Sequence, residues 1–134
     1  MPTGRVAIDT DVASHIWRGD LSPILAERLI GRTPVLTFVT VAEMLQGAHH
    51  ADWGSRKMQA LAEFHSRFAK LHCDGEVVRE WGRLAGQAMR RGHKLSHNDC
   101  WIAACCVVGG VPLLTGNERD FLPLVHLNLG LQLA

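Results

Sequence analysis

The sequence predicts an α/β fold in which a central, mostly parallel five-stranded sheet lies between two layers of helices. Two observations carry this reading. Short runs of continuous apolar residues, rich in Val, Ile and Leu, alternate along the chain with longer segments of helical period, and parallel neighbours in a sheet require a crossover that is usually a helix. Continuous rather than alternating apolar strands also imply that both sheet faces are covered. At 134 residues, 47% of them hydrophobic, the chain has the size of one domain, in which folding hides roughly two-thirds of the unfolded surface. With no linker or repeat, residues 1–134 read as a single domain.

Arg5-Val6-Ala7-Ile8 forms the first strand and breaks at Asp9-Thr10-Asp11 into a helix start. Ser22-Pro23 opens a second helix, with Ser at the N-cap and Pro in the first turn, and Ile24, Leu25, Leu29 and Ile30 follow at helical spacing up to Gly31. The run 34–39 reads as the second strand, and Thr40-Val41-Ala42-Glu43 has the form of a capping box for the third helix. Helical patterns over 53–68 and from Val77 through Ala88 flank a short third strand at Leu71-His72-Cys73.

Ser96-His97-Asn98-Asp99 is another capping box, and the helix it opens, 100–108, is apolar nearly all round and hence buried until Gly109-Gly110 stops it. Residues 111–115 give the fourth strand, 118–122 a short helical turn, and 127–133 alternate as the closing fifth strand.

Several classes of function fall away on composition. The longest apolar stretches are far short of the roughly 20 residues of a membrane helix, and the N-terminus has no apolar leader, so the expectation is a soluble, cytoplasmic protein. Cys73, Cys100, Cys105 and Cys106 include no Cys-x-x-Cys pair and read as reduced core thiols. His49-His50 and the pair His93 and His97 lack the further ligands of a closed zinc site. A net charge of +1 is too small for binding nucleic acid by bulk charge, so such a role must rest on a local site.

Ligands of open α/β sheets bind at the carboxyl ends of the strands. Asp9 ends the first strand, Glu43 follows the second, Asp99 begins the buried helix before the fourth, and Asn117 and Asp120 follow the fourth. Carboxylates gathered from separate strands repel one another unless a cation lies between them, and hard oxygen donors suit Mg²⁺ or Mn²⁺. Each acid has a second reading as a helix cap, which contributes roughly 1 kcal/mol and needs no metal. Their convergence on one sheet edge favours a site.

Four blocks carry a resemblance: Ala7-Ile8-Asp9-Thr10-Asp11, Thr40-Val41-Ala42-Glu43, Asn98-Asp99-Cys100-Trp101-Ile102-Ala103-Ala104 and Leu114-Thr115-Gly116-Asn117-Glu118-Arg119-Asp120-Phe121. In order and spacing they resemble the signatures of the PIN-domain family, VapC branch, over nearly the whole chain. The resemblance implies a PIN-like α/β/α fold and a Mg²⁺- or Mn²⁺-dependent endoribonuclease, the toxin of a type II toxin–antitoxin pair, acting on transfer RNA or ribosomal RNA. It also implies a VapB-like antitoxin as partner and a homodimer. Asp9, Glu43 and Asp99 match the family's three acids, with Asp9 and Asp99 as metal ligands and Glu43 orienting or deprotonating the attacking water. Asn117 stands where many members have Asp, which removes one charge. Asn117 and Thr115 would position water or phosphate, and Asp120 would assist through water or serve as a surface residue.

Arg90, Arg91, His93 and Lys94 precede the Asp99 block and either hold RNA backbone or form a solvated helix end. His97, two residues from Asp99, is placed to touch substrate. Trp17, Trp53, Trp81 and Trp101 fit the core by spacing, although Trp17 and Trp53 lie near the outer helices that similar toxins use for the antitoxin. Two rival readings remain: a PIN-like module that has lost catalysis and only binds its antitoxin, and a phosphoacceptor receiver domain. The receiver would need Asp74 as phosphoacceptor and a Lys after the last strand, and no Lys follows Lys94.

Overall fold

A computed structural model describes residues 3–134. Met1 and Pro2, where the reading of the N-terminus begins, lie outside the described residues. The elements run β1 (Gly4–Ile8), α1 (Thr10–Arg18), α2 (Pro23–Leu29), β2 (Arg32–Thr37), α3 (Phe38–His50), α4 (Ser55–Ser66), β3 (Ala69–Leu71), α5 (Gly75–Arg90), α6 (His97–Gly109), β4 (Leu113–Leu114) and α7 (Glu118–His126).

The sheet has the order β3-β2-β1-β4 with every pair parallel, as the strand–helix alternation predicts. Its two faces feed separate cores, because successive side chains of a strand point to opposite sides. Ala7, Val35 and Leu113 pack with Leu84, Ile102, Phe121 and Leu124 from α5, α6 and α7. Val6, Ile8, Leu36 and Leu114 pack with Val12, Met44, Leu61 and Phe64 from α1, α3 and α4. That covering of both faces is why the strands read as unbroken apolar runs.

The sheet differs from expectation at its edge: among the described residues it has four strands, and the predicted fifth is reduced to one parallel bridge between Leu113 and Leu133. Two backbone bonds hold it, Leu113 N to Gln132 O at 2.9 Å and Ala134 N to Leu113 O at 2.8 Å. Asn128 and Gly130 adopt φ of 56° and 108°, which bend the chain out of an extended path. Leu127, Leu129, Leu131 and Leu133 nonetheless join the core beneath β4. Their alternation reflects burial without a ladder.

Three boundaries also shift. The second strand ends at Thr37 rather than 39, and Thr37 Oγ1 caps α3 by accepting from Thr40 N at 3.3 Å, so Thr40 and Glu43 lie inside the helix and form no capping box. β3 falls at 69–71 rather than 71–73. α7 continues past 122 to His126 despite Pro123 within it, with Phe121 and Leu124 buried as its anchors. Asp74, the acid a receiver domain would phosphorylate, instead caps α5, its Oδ1 accepting from Val77 N at 3.0 Å.

Candidate metal centre and active site

Asp9 is both cap and site. At the break between β1 and α1 its Oδ1 accepts from Val12 N at 2.9 Å, while its Oδ2 accepts from the Thr115 hydroxyl just past β4. Thr115 Oγ1 in turn accepts from Asn117 N at 2.9 Å. Asp9 is only 5% exposed, and Thr115 is buried beside it. Burial is the main cause that pushes the Asp9 carboxyl above its usual range; the bonds from Thr115 and Val12 oppose it, and Asp11 and Asp99 push it further up.

Asp99 lies in the first turn of α6, where its backbone N donates to Ser96 Oγ at 3.0 Å. Its carboxyl is also raised, first by burial, with Ser96 lowering it and the charges of Asp120 and Glu43 raising it. Glu43, one turn into α3, is held from two sides: Thr10 Oγ1 donates to its Oε1 at 2.6 Å and Asn98 Nδ2 to its Oε2 at 3.3 Å. Of the acids predicted from sequence, Asp99 thus feels the charges of Glu43 and Asp120, and Asp9 feels that of Asp99, at the carboxyl edge of the sheet.

The donor set fits a divalent cation held mainly through water. Among the described residues no three Asp, Glu, His or Cys side chains form a ready-made metal cluster, and the oxygens of Glu43 and Asp9 accept protein hydrogen bonds. Mg²⁺ keeps several waters and takes one or two protein carboxylates. Asp9, which is buried, and the half-buried Asp99, whose charge raises it, are the pair that a cation would relieve.

Residues 6–123 match the family described as PIN domain. The chain belongs to the PIN-domain family. "Ribonuclease VapC1" of Haemophilus influenzae is 25% identical over 118 residues, covering 85% of this chain and 87% of that protein. "Ribonuclease VapC5" of Mycobacterium tuberculosis is 32% identical over 102 residues, 75% of each. In fold, the PIN domain superposes on a chain of VapBC-1 from nontypeable Haemophilus influenzae with a TM-score of 0.81 at 22% identity, covering 97% of this chain and 96% of the other.

Other predicted residues of the PIN domain fall in different places. Asn117 is exposed at the N-cap of α7, and its side chain makes no cap bond. Lys94 lines a cavity of about 280 Å³ with Asp99 and Asp120, and Arg90 and Arg91 do not. His93 lines a neighbouring apolar cavity with Trp81 and Met89. His97 meets Trp81 edge-on at 5.6 Å and accepts Trp81 Nε1 on its carbonyl at 3.3 Å, contacts that belong to the packing of α6 against α5. Trp17 stacks on Trp53 with centroids 5.9 Å apart, and both line a cavity of about 320 Å³ that reaches Thr10 and Glu43. These two tryptophans are thus half-buried and groove-lining, whereas Trp81 and Trp101 stack on each other against the core.

Sequence reading missed Thr10 and Asn98, which fix Glu43, and Arg119, which shares the Asp99 cavity. Thr10 and Asn98 adjoin Asp9 and Asp99, so their position was a usable signal. Arg119 had none beyond lying between Asn117 and Asp120.

Proposed function

We propose that this PIN domain is the toxin of a type II toxin–antitoxin pair, a Mg²⁺- or Mn²⁺-dependent endoribonuclease that hydrolyses phosphodiesters of transfer RNA or ribosomal RNA. The observation that carries the reading is the buried Asp9, bonded to Thr115 and coupled by charge to Asp99, with Glu43 oriented beside them. Relatives named as ribonucleases support it.

Asp9 and Asp99 would hold the ion. A divalent ion at this position would supply Lewis acidity for a phosphoryl oxygen and for an attacking water. Glu43, aimed by Thr10 and Asn98, is the general base that would accept a proton from the attacking water. Water adds to phosphorus as the bond to the 3′-oxygen breaks, leaving a 5′-phosphate and a 3′-hydroxyl. Thr115 keeps Asp9 in place, Asn117 faces solvent where it meets water or phosphate, and Asp120 acts through water.

Solved structures with this fold include VapBC-1 and VapBC-5, the latter a member of the VapBC family of toxin–antitoxin systems, which supports a VapB-like antitoxin as partner. The groove beside Trp17 and Trp53 suits an apolar antitoxin segment and leads toward Glu43. No helix of the described residues is long and apolar enough to cross a membrane; the proposed place of action is the cytoplasm, and the proposed assembly a homodimer.

The test is cleavage of total cellular RNA by antitoxin-free protein with Mg²⁺ or Mn²⁺, beside EDTA and Asp99→Asn. Discrete fragments lost in EDTA and in the variant are expected. If parent and variant are equally inert, the alternative reading stands: a module that binds its antitoxin without catalysis, which the missing charge at Asn117 favours.

A further inference from the structure

Two cavities border the carboxylate edge. One of about 470 Å³ is lined by Ser22, Leu25, Arg28, Thr115 and Gly116. The other, of about 280 Å³, contains Lys94, Ser96, Asp99 and Asp120. Arg119, in the first turn of α7, lines both.

The cations here differ in what already holds them. Arg28 is engaged by Glu118 at 3.1 Å. Arg119 and Lys94 are exposed and make no ion pair among the described residues, although Asp99 and Asp120 line the same cavity. Arg90 and Arg91 are also free of ion pairs but do not line the cavity that contains Asp99. With a net charge of +1, phosphate must be met by cations placed locally, and a guanidinium offers a planar fork of donors that fits a phosphate in two-point fashion.

We propose that Arg119, with Lys94 on the same cavity, grips the phosphates next to the scissile one in a single-stranded stretch of RNA, so that the backbone is drawn past Asp99. This rests on the ribonuclease reading and adds to it the residue that sets where the strand lies. Unpaired RNA is the fitting form, because proteins recognise RNA chiefly in loops and ends, whose strand is free of a partner.

The experiment measures binding of a fluorescent single-stranded RNA in Mg²⁺, over a series of salt concentrations, to Asp99→Asn protein with Arg119 intact or changed to Ala or Lys. Each phosphate contact contributes about 0.7 to the log–log salt slope on a single strand. Arg119→Ala is expected to flatten the slope by about that amount and, in the cleaving protein, to raise KM about tenfold with kcat changed less; Arg119→Lys should restore the slope. Equal slopes and KM for Arg119 and Ala, with parental binding and cleavage intact, overturn this inference alone. Parental protein that neither binds nor cleaves RNA overturns the ribonuclease reading, and this inference with it.

Discussion

The hydroxyl of Thr115, one residue past β4, donates to Oδ2 of Asp9, one residue past β1. Those strands are paired in parallel, so two positions 106 apart in sequence meet because their strands end side by side. Thr115 also accepts from Asn117 N, which ties the β4–α7 turn to the acid.

Thr115→Val keeps the volume and removes the hydroxyl. Asp9 then loses a bond that lowers its pKa, and Asn117 N loses the acceptor of a part-buried bond, a loss of about 1 kcal/mol. The expected outcome is a lower melting temperature and an acid limb of the pH–rate profile displaced to higher pH, because Asp9 must be ionised to bind the ion. Thr115→Ser, which keeps the donor, should leave the limb in place.

The raised carboxyls of Asp9 and Asp99 set a pH dependence that the ion reverses. Without metal, the native state holds protons that the unfolded state has already released above 3.8. Stability from these two groups is therefore present at low pH and lost as pH rises through their folded values. Asp99→Asn should be more stable than the parent in EDTA at neutral pH, as judged by thermal denaturation. Mn²⁺ at a hundredfold excess over its Kd should stabilise the parent by about 2.7 kcal/mol and the variant far less. A variant less stable than the parent in EDTA contradicts the repulsion argued here.

Much of this site was legible because caps and acids coincide. Asp9 and Ser96 mark helix starts that the chain announces, and the first of these is itself a site residue. The α3 start was misplaced since Phe38 and Val39 extend an apolar run that looks like strand, while the true cap, Thr37, is buried. The closing strand was overcalled because Leu127, Leu129, Leu131 and Leu133 alternate for burial alone. Thr10 and Asn98 act across tertiary contacts to Glu43, 33 and 55 positions away; adjacency to Asp9 and Asp99 marks them as near the site, but no local pattern encodes that they hold Glu43.

Glu43→Gln separates proton transfer from metal binding. Both side-chain bonds of Glu43 are to protein, not to Asp9 or Asp99. Loss of a positioned general base costs about 10²–10⁴ in rate, so kcat should fall within that range while Mn²⁺ still raises the melting temperature. If the Mn²⁺ response disappears as well, Glu43 is a ligand and the assignment of roles is wrong.

His65 supplies a pH slope of opposite sign on the far side of the sheet edge. It is 6% exposed in α4, its Nε2 is buried without a partner, and its ring lies against Phe64. Burial first, and the charge of Lys70 second, hold its pKa below the ordinary histidine value of 6.5. Below that pH the unfolded chain takes a proton that the native ring refuses, so stability falls as pH drops toward the folded value, by at most about 1.4 kcal/mol per pH unit. Urea melts of the parent and of His65→Leu between pH 7 and pH 5 should diverge, with the parent losing more. Parallel curves would mean that the native ring accepts the proton at no cost.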